Sequence, residues 1–240
     1  LAYKINNAYK FSTEKKIIIE NFEEGIEINL VGIVEDKKIK IISTSHRYTN
    51  HDLSFGIAFK HIYPIKLDQK KYIKIKNLCK KIIKAFRINN TVIYFQFLEK
   101  ENNFKVIEIA TRTPGGFMYE LSKLVSGYDI IKFTILKSLG VKNSLNKCNI
   151  KKKKYKNLII KFLTEYDFLD RKNLYLRKKS FYNLKGFVDL IIYTNKKKKL
   201  RNSGGRIGGL FITGKTIKKC KKNLKNMIDK FNLYENKKFT

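Results

Sequence analysis

No stretch of this chain approaches the roughly 20 consecutive apolar residues of a membrane-spanning helix, and its N-terminus lacks a signal-peptide pattern. A membrane partner is therefore not expected. Cysteine is scarce: Cys79, Cys148 and Cys220 are widely spaced, with no CxxC pair and no clustered histidines. That argues against a disulfide framework or a zinc site and fits a reducing cytoplasm. Arginine is scarcer than the charge suggests, with seven Arg against a net charge of +33. Such a balance would ordinarily point to nucleic acid. Specific readers lean on the Arg fork, however, and the basic residues here are Lys spread along the whole chain. Ile, Asn, Tyr and Phe are also abundant, and AT-rich codons account for all of these together. No specific nucleic-acid partner is expected, only nonspecific adhesion at low salt. The lysine runs 151–154 and 196–199 read as solvated loops. There is no internal repeat.

What is present describes a folded protein. The 240 residues are 43% hydrophobic and 13% aromatic, enough for one substantial core with a small appended domain. The chain begins with Leu, which suggests a processed, cloned or incomplete sequence. Residues 1–20 predict a short amphipathic helix followed by a strand. Residues 26–34 and 39–43 predict a hairpin around the turn at 35–38. After a break near Tyr63 and Pro64, residues 72–86 place Tyr72, Ile75, Leu78, Cys79, Ile82, Ile83 and Phe86 on one helix face. A helix is expected over 117–125, ended by Gly127, and another to Leu139 capped by Asp129. From Asn157 onward short β runs dominate. A last helix starts at Thr216 and turns Ile217, Cys220, Leu224, Met227, Ile228 and Phe231 inward.

Two segments carry the chemistry. Residues 94–98 and 104–110 are apolar, β-branched and aromatic runs flanking Glu99–Asn103, the pattern of a β-hairpin. A turn centred near Asn102 sets Gln96 opposite Glu108, where Cβ atoms lie about 4.5–5.5 Å apart. Side-chain alternation adds Ala110 and Arg112 to that face before the chain turns through Pro114-Gly115-Gly116 into a helix. Two oxygen ligands beside a guanidinium could hold a hard cation next to an anion. The second segment, residues 17–30, reads as a strand ending at Glu20, a turn through Gly25 and a new strand from Ile26.

The pattern Glu20-x-Phe22-x-x-Gly25-x-Glu27, followed by Gln96, Glu108, Arg112 and a Gly-Gly, resembles the ATP-grasp superfamily. The nearest branch includes biotin carboxylase and the carboxylate–amine ligases. The likeness is close up to about residue 140 and looser beyond. It implies an α+β fold: the C-terminal half of an ATP-grasp enzyme, an antiparallel sheet flanked by helices with a small β-rich C-terminal subdomain. It implies a lid remnant over residues 1–20, an ATP- and metal-binding core over 21–145, and the β-rich subdomain over 146–240. By resemblance, Glu20 sits at the hinge, the backbone of Asn21 and Phe22 faces the adenine edge, and Glu27 accepts from the ribose hydroxyls. Phe22, Leu98 and Ile107 wall the purine. Glu108 is the principal magnesium ligand, with Gln96 supplying a second oxygen and manganese as a substitute. Arg112 clamps the transferring phosphoryl group, and amides near Gly115 and Gly116 help hold the anion.

The implied activity is an ATP-dependent carboxylate ligase. ATP converts a small-molecule carboxylate to an acyl phosphate, and an amine acceptor displaces the phosphate. This chain departs from the family at Gln96, where an acid is usual, and at Ala110, where Asn is usual. The lid strand and Gly-rich loop that supply lysines to the phosphates have no counterpart, so a fragment or natural short form, inactive alone, is expected. A noncatalytic nucleotide-binding module stands as the alternative. In the segment 204–209, Arg206 resembles the Arg-x-Gly turn that faces the acceptor site in carboxylate–amine ligases; a Gly-rich hairpin with an exposed Arg is the other reading. His46 and His51 sit in a polar loop beside Arg47. With His61, they read either as surface residues or as contacts to the ATP phosphates.

Overall fold

The computed structural model describes residues 2–50, 54–150, 155–167, 180–193, 199–200 and 202–230. Eight strands make one antiparallel sheet: β1 Ile26–Glu35, β2 Lys38–Asn50, β3 Ser54–Tyr63, β4 Thr91–Lys100, β5 Asn103–Ala110, β6 Leu158–Leu163, β7 Phe187–Ile192 and β8 Gly208–Thr213. Their spatial order is β5-β4-β1-β2-β3-β6-β8-β7. The β-rich C-terminal part thus continues the sheet, joined where β6 pairs with β3. The expected fold class, α+β with helices flanking an antiparallel sheet, is what the chain adopts. Helix α1 spans Ala2–Phe11, α2 Gln69–Ala85, α3 Met118–Ser126, α4 Ile130–Ser138, α5 Ser144–Lys147 and α6 Ile217–Lys230.

Helices cover both sheet faces because the central strands are apolar on both sides, as twice-covered strands must be. Along β1, Ile28, Leu30 and Val34 pack with Ile75, Cys79 and Ile83 of α2. The alternate residues Val31 and Ile33 pack with Met118, Leu121 and Phe133 of α3 and α4. Helix α6 buries Cys220, Leu224, Met227 and Ile228 against β6 and β8. Paired residues in a ladder share a face, and Ile28 pairs with His46, His46 with Ile62, and Ile62 with Ile159. Helices α2 and α6 therefore lie on the same side, opposite α3.

Several expectations need correction. Residues 16–20 form no strand: Ile18 and Ile19 are exposed and have no ladder to join. Residues 44–50, read as loop, complete β2, and β3 was not anticipated at all. His46 is half-buried on β2 and His61 buried on β3, so neither is a surface loop residue. Tyr72 and Phe86 stay largely exposed at the ends of the α2 face. Arg112 lies just beyond β5 rather than on it. His51, Phe231, the run 151–154 and most of 196–199 lie outside the described residues.

The β4–β5 hairpin follows the expected register. Its two-residue turn places Glu101 and Asn102 in the left-handed region, and Gln96 faces Glu108 directly. Phe97 then pairs with Val106, so Ile107 is the extra residue of a bulge. The helix after Gly115-Gly116 starts unusually. Phe117 has φ 60°, a conformation rare for a bulky side chain. Burial holds it there: its ring stacks on Tyr193 at 4.9 Å and on Phe162 at 5.5 Å, and meets Phe211 edge-on at 5.2 Å. Gly209 leaves the room, since any Cβ at that position would collide with the Phe117 ring.

Candidate active site

The bulged hairpin, the start of β1, the end of β2 and residues 20–25 enclose a cleft of about 1290 Å³. Eight of the ten expected site residues line it: Glu20, Asn21, Phe22, Glu27, Gln96, Leu98, Ile107 and Glu108. They converge because the antiparallel order brings a hairpin tip 70 residues downstream beside the β1 entry. Arg112 stands at the rim, half-exposed, its Nη2 3.8 Å from Glu108 Oε1. Arg206 lies apart, under the sheet face that α3 covers.

Polar side chains run across that face in one hydrogen-bonded row. Glu27 accepts from Arg47 Nη1, from Thr49 Oγ1 at 3.1 Å and from Gln96 Nε2 at 2.8 Å. Those donors keep a poorly exposed carboxylate satisfied. Gln96 thereby turns its Oε1 toward the Tyr94 hydroxyl, 3.4 Å away. Tyr94 donates to Asn29 Oδ1 at 2.7 Å, and Asn29 Nδ2 lies 3.4 Å from His61 Nδ1. Burial pushes the Tyr94 phenol up to about 12, so it remains a donor.

At the far end of the row is a cationic corner. The Arg206 guanidinium lies 3.9 Å over the Phe162 ring and donates through Nη2 to the Ala58 carbonyl at 2.9 Å. Its Nε is buried with no partner among the described residues. A Cβ built on Gly116 would lie 3.5 Å from Arg206 Nη1 and 3.9 Å from His61 Nε2, so both nitrogens point at the space beside that glycine. Burial and the nearby Arg47 lower the Arg206 pKa to about 10. Burial, then Arg47 and Arg206, hold His61 well below 6.5 and therefore neutral. On the opposite sheet face, burial and Lys60 bring His46 down to about 4.

Arg47, Thr49, Asn29 and Tyr94 were not singled out by sequence as site residues, whereas His61 carried contact with the ATP phosphates as one of two readings. Residues 43–49 lack apolar alternation because one of their faces looks into a polar cleft, so the usual strand signal is missing there. The composition of that stretch, rich in Ser, Thr, His and Arg, was the only available cue.

Residues 2–146 match the family described as carbamoyl-phosphate synthase L chain, ATP binding domain. The chain belongs to that family, within the ATP-grasp superfamily. Among solved structures, phosphoribosylglycinamide synthetase from Anaerococcus prevotii is similar with TM-score 0.70 and 21% identity, over 97% of this chain and 59% of that one. L-amino acid ligase from Bacillus licheniformis has TM-score 0.70 and 14% identity, over 90% and 55%. N5-carboxyaminoimidazole synthase from Aspergillus clavatus, solved with ADP and 5-aminoimidazole ribonucleotide, has TM-score 0.61 and 13% identity, over 86% and 51%. These likenesses show an ATP-grasp fold, and the chain spans a little over half the length of each. No curated protein matches it. Among the described residues no helix is long and apolar enough to cross a membrane.

Proposed function

We propose that this chain carries the nucleotide-binding part of an ATP-dependent carboxylate ligase. ATP would phosphorylate a small-molecule carboxylate, and an amine would then attack the acyl phosphate and release phosphate. The reading assigns residues 1–20 to a lid, 21–145 to the nucleotide core and 146–240 to the β-rich part. It places the protein in the cytoplasm. The observation that carries the proposal is one open cleft leading along a polar row to a corner of unpaired donors. A cleft that size accommodates a nucleotide, and the corner suits the small oxyanion that reacts with it.

The roles follow from chemistry. With Glu20 at the hinge, the backbone of Asn21 and Phe22 would read the adenine edge, with Phe22, Leu98 and Ile107 against its faces. Glu27 would exchange one of its present donors for ribose hydroxyls. Magnesium seeks oxygen and keeps several waters, so a site with few protein ligands serves it. The donors present fit: Glu108 brings a carboxylate, and Gln96, its ladder partner, brings an amide oxygen that would leave the Tyr94 hydroxyl for the ion; manganese fits the same set. Such an ion would offset phosphate charge. Arg112 at the rim would clamp the transferring group, the electrostatic task central to phosphoryl transfer. Arg206 and His61, with the amides near Gly115 and Gly116, would hold the carboxylate or acyl phosphate.

The test is carboxylate-stimulated, magnesium-dependent ADP formation by the complete ligase of which this chain would be the nucleotide-binding part. Glu108→Gln should lower it by about 100-fold, the scale of a lost catalytic charge interaction. Glu99→Gln should leave it intact, because Glu99 instead ties Lys71 at 3.0 Å and the Asn102 amide. Equal turnover in Glu108→Gln and the parent would sink the assignment. A noncatalytic module is the second reading, favoured by the engagement of the Gln96 amide with Glu27 and by Ala110. Calorimetric Mg-ATP binding without carboxylate-stimulated ADP formation would decide for it.

A further inference from the structure

The cationic corner depends on a residue that touches neither the cleft nor the proposed oxyanion. We infer that Asn29 is a positioning residue that fixes the ring tautomer of His61, so that the Nε2–H donates into the space beside Gly116 and Arg206.

The geometry leaves little freedom. Asn29 is 1% exposed and pairs with Ser45 on one side and Gln96 on the other, in the centre of the sheet. Its amide has two ends with different neighbours. One end is 2.7 Å from the Tyr94 hydroxyl; the other is 3.4 Å from His61 Nδ1 and 3.7 Å from Met118 Sδ. Sulfur is an acceptor without a proton, so the NH₂ belongs beside Met118 and His61 and the oxygen beside the phenol. Tyr94 agrees, since its single proton goes to the 2.7 Å contact rather than to Gln96 Oε1 at 3.4 Å. An amide NH₂ can only donate, so His61 Nδ1 must accept, and a neutral ring then carries its proton on Nε2. That nitrogen faces the same space as Arg206 Nη1. Removal of the Asn29 NH₂ would free the ring to reverse, presenting a lone pair to an anion. His61 is buried against Phe162, with ring centroids 5.1 Å apart, so the ring cannot escape by rotating into water.

The oxyanion assignment belongs to the proposed function, but the tautomer does not, and the two are tested separately. The chain has three histidines, so a long-range ¹H–¹⁵N spectrum of ¹⁵N-histidine-labelled protein, with His61→Gln for assignment, resolves each ring. In the parent at neutral pH, His61 should show a protonated Nε2 and a bare Nδ1. A protonated Nδ1 there would overturn the inference, whatever any variant does. Asn29→Asp keeps the shape but offers only acceptors, and should move the proton to Nδ1. A folded Asn29→Asp with its His61 proton still on Nε2 alone would also overturn it. Titration with inorganic phosphate, read on the His61 ring, addresses the corner. The parent should shift with saturation, and Asn29→Asp should bind about tenfold more weakly, the loss of one hydrogen bond to a charged group. A parent tautomer as expected with no phosphate response would refute the oxyanion reading and leave Asn29 as the tautomer-setting residue.

Discussion

The cleft and the corner lie at opposite ends of one polar row and are built on opposite principles. In the cleft, charges are matched and the walls open to solvent. Glu27 pairs with Arg47, Glu108 with Arg112, and Phe22 stands 68% exposed at its edge. In the corner, charges are unmatched and dry. Arg206 has no acid partner among the described residues, His61 is held neutral, and three aromatic rings pack around Phe117 at its αL turn. A wide cleft can exchange its internal partners for those of a large ligand at modest cost. A dry corner with spare donors would suit one small anion, as proposed, because its low local dielectric makes each donor count for more.

The largest effect expected from this contrast is on stability. Phe117→Ala should cost about 3–5 kcal/mol by opening a cavity among Phe162, Tyr193 and Phe211. Phe22→Ala at the cleft should stay within about 0.5 kcal/mol. Urea midpoints compare the two directly, and similar losses would erase the distinction. Next comes ligand discrimination. If Glu27 serves the ribose, ATP should bind about tenfold tighter than its 2′-deoxy analogue, and Glu27→Gln should remove most of that preference. Calorimetry showing no difference in the parent would exclude the role.

The smallest effect is on pH dependence. His46 and His61 both have pKa values depressed by burial, His46 from 6.5 to about 4. The unfolded chain therefore binds more protons than the folded one below about pH 6.5. Stability should be complete above that pH and fall as pH drops toward 4. His46→Gln should flatten part of the fall without altering the neutral-pH phosphate response of His61, since His46 lies on the other sheet face. Identical acid profiles in parent and variant would count against a buried neutral His46.

Local pattern alone was enough to identify the hairpin with Gln96 opposite Glu108, most of the α2 and α6 faces, the span of α3 and the turn through Gly25 into β1. Each depends on periods of two or 3.6 residues and on turn chemistry close in sequence, which survive without knowledge of the rest of the chain. The family motif could be read for the same reason, since its residues lie within such local units. Residues 16–20 misled because β-branched composition cannot form a strand without a neighbour to pair with. The second half of β2 and all of β3 were hidden for the converse reason: their tertiary neighbours made a polar face useful. Sheet order was beyond any local signal, and it alone joined Asn29, Tyr94, His61 and Arg206, separated by up to 177 positions in the chain. A hydrogen bond's value depends on burial and on which end of an amide faces which atom. Only the packed structure sets both.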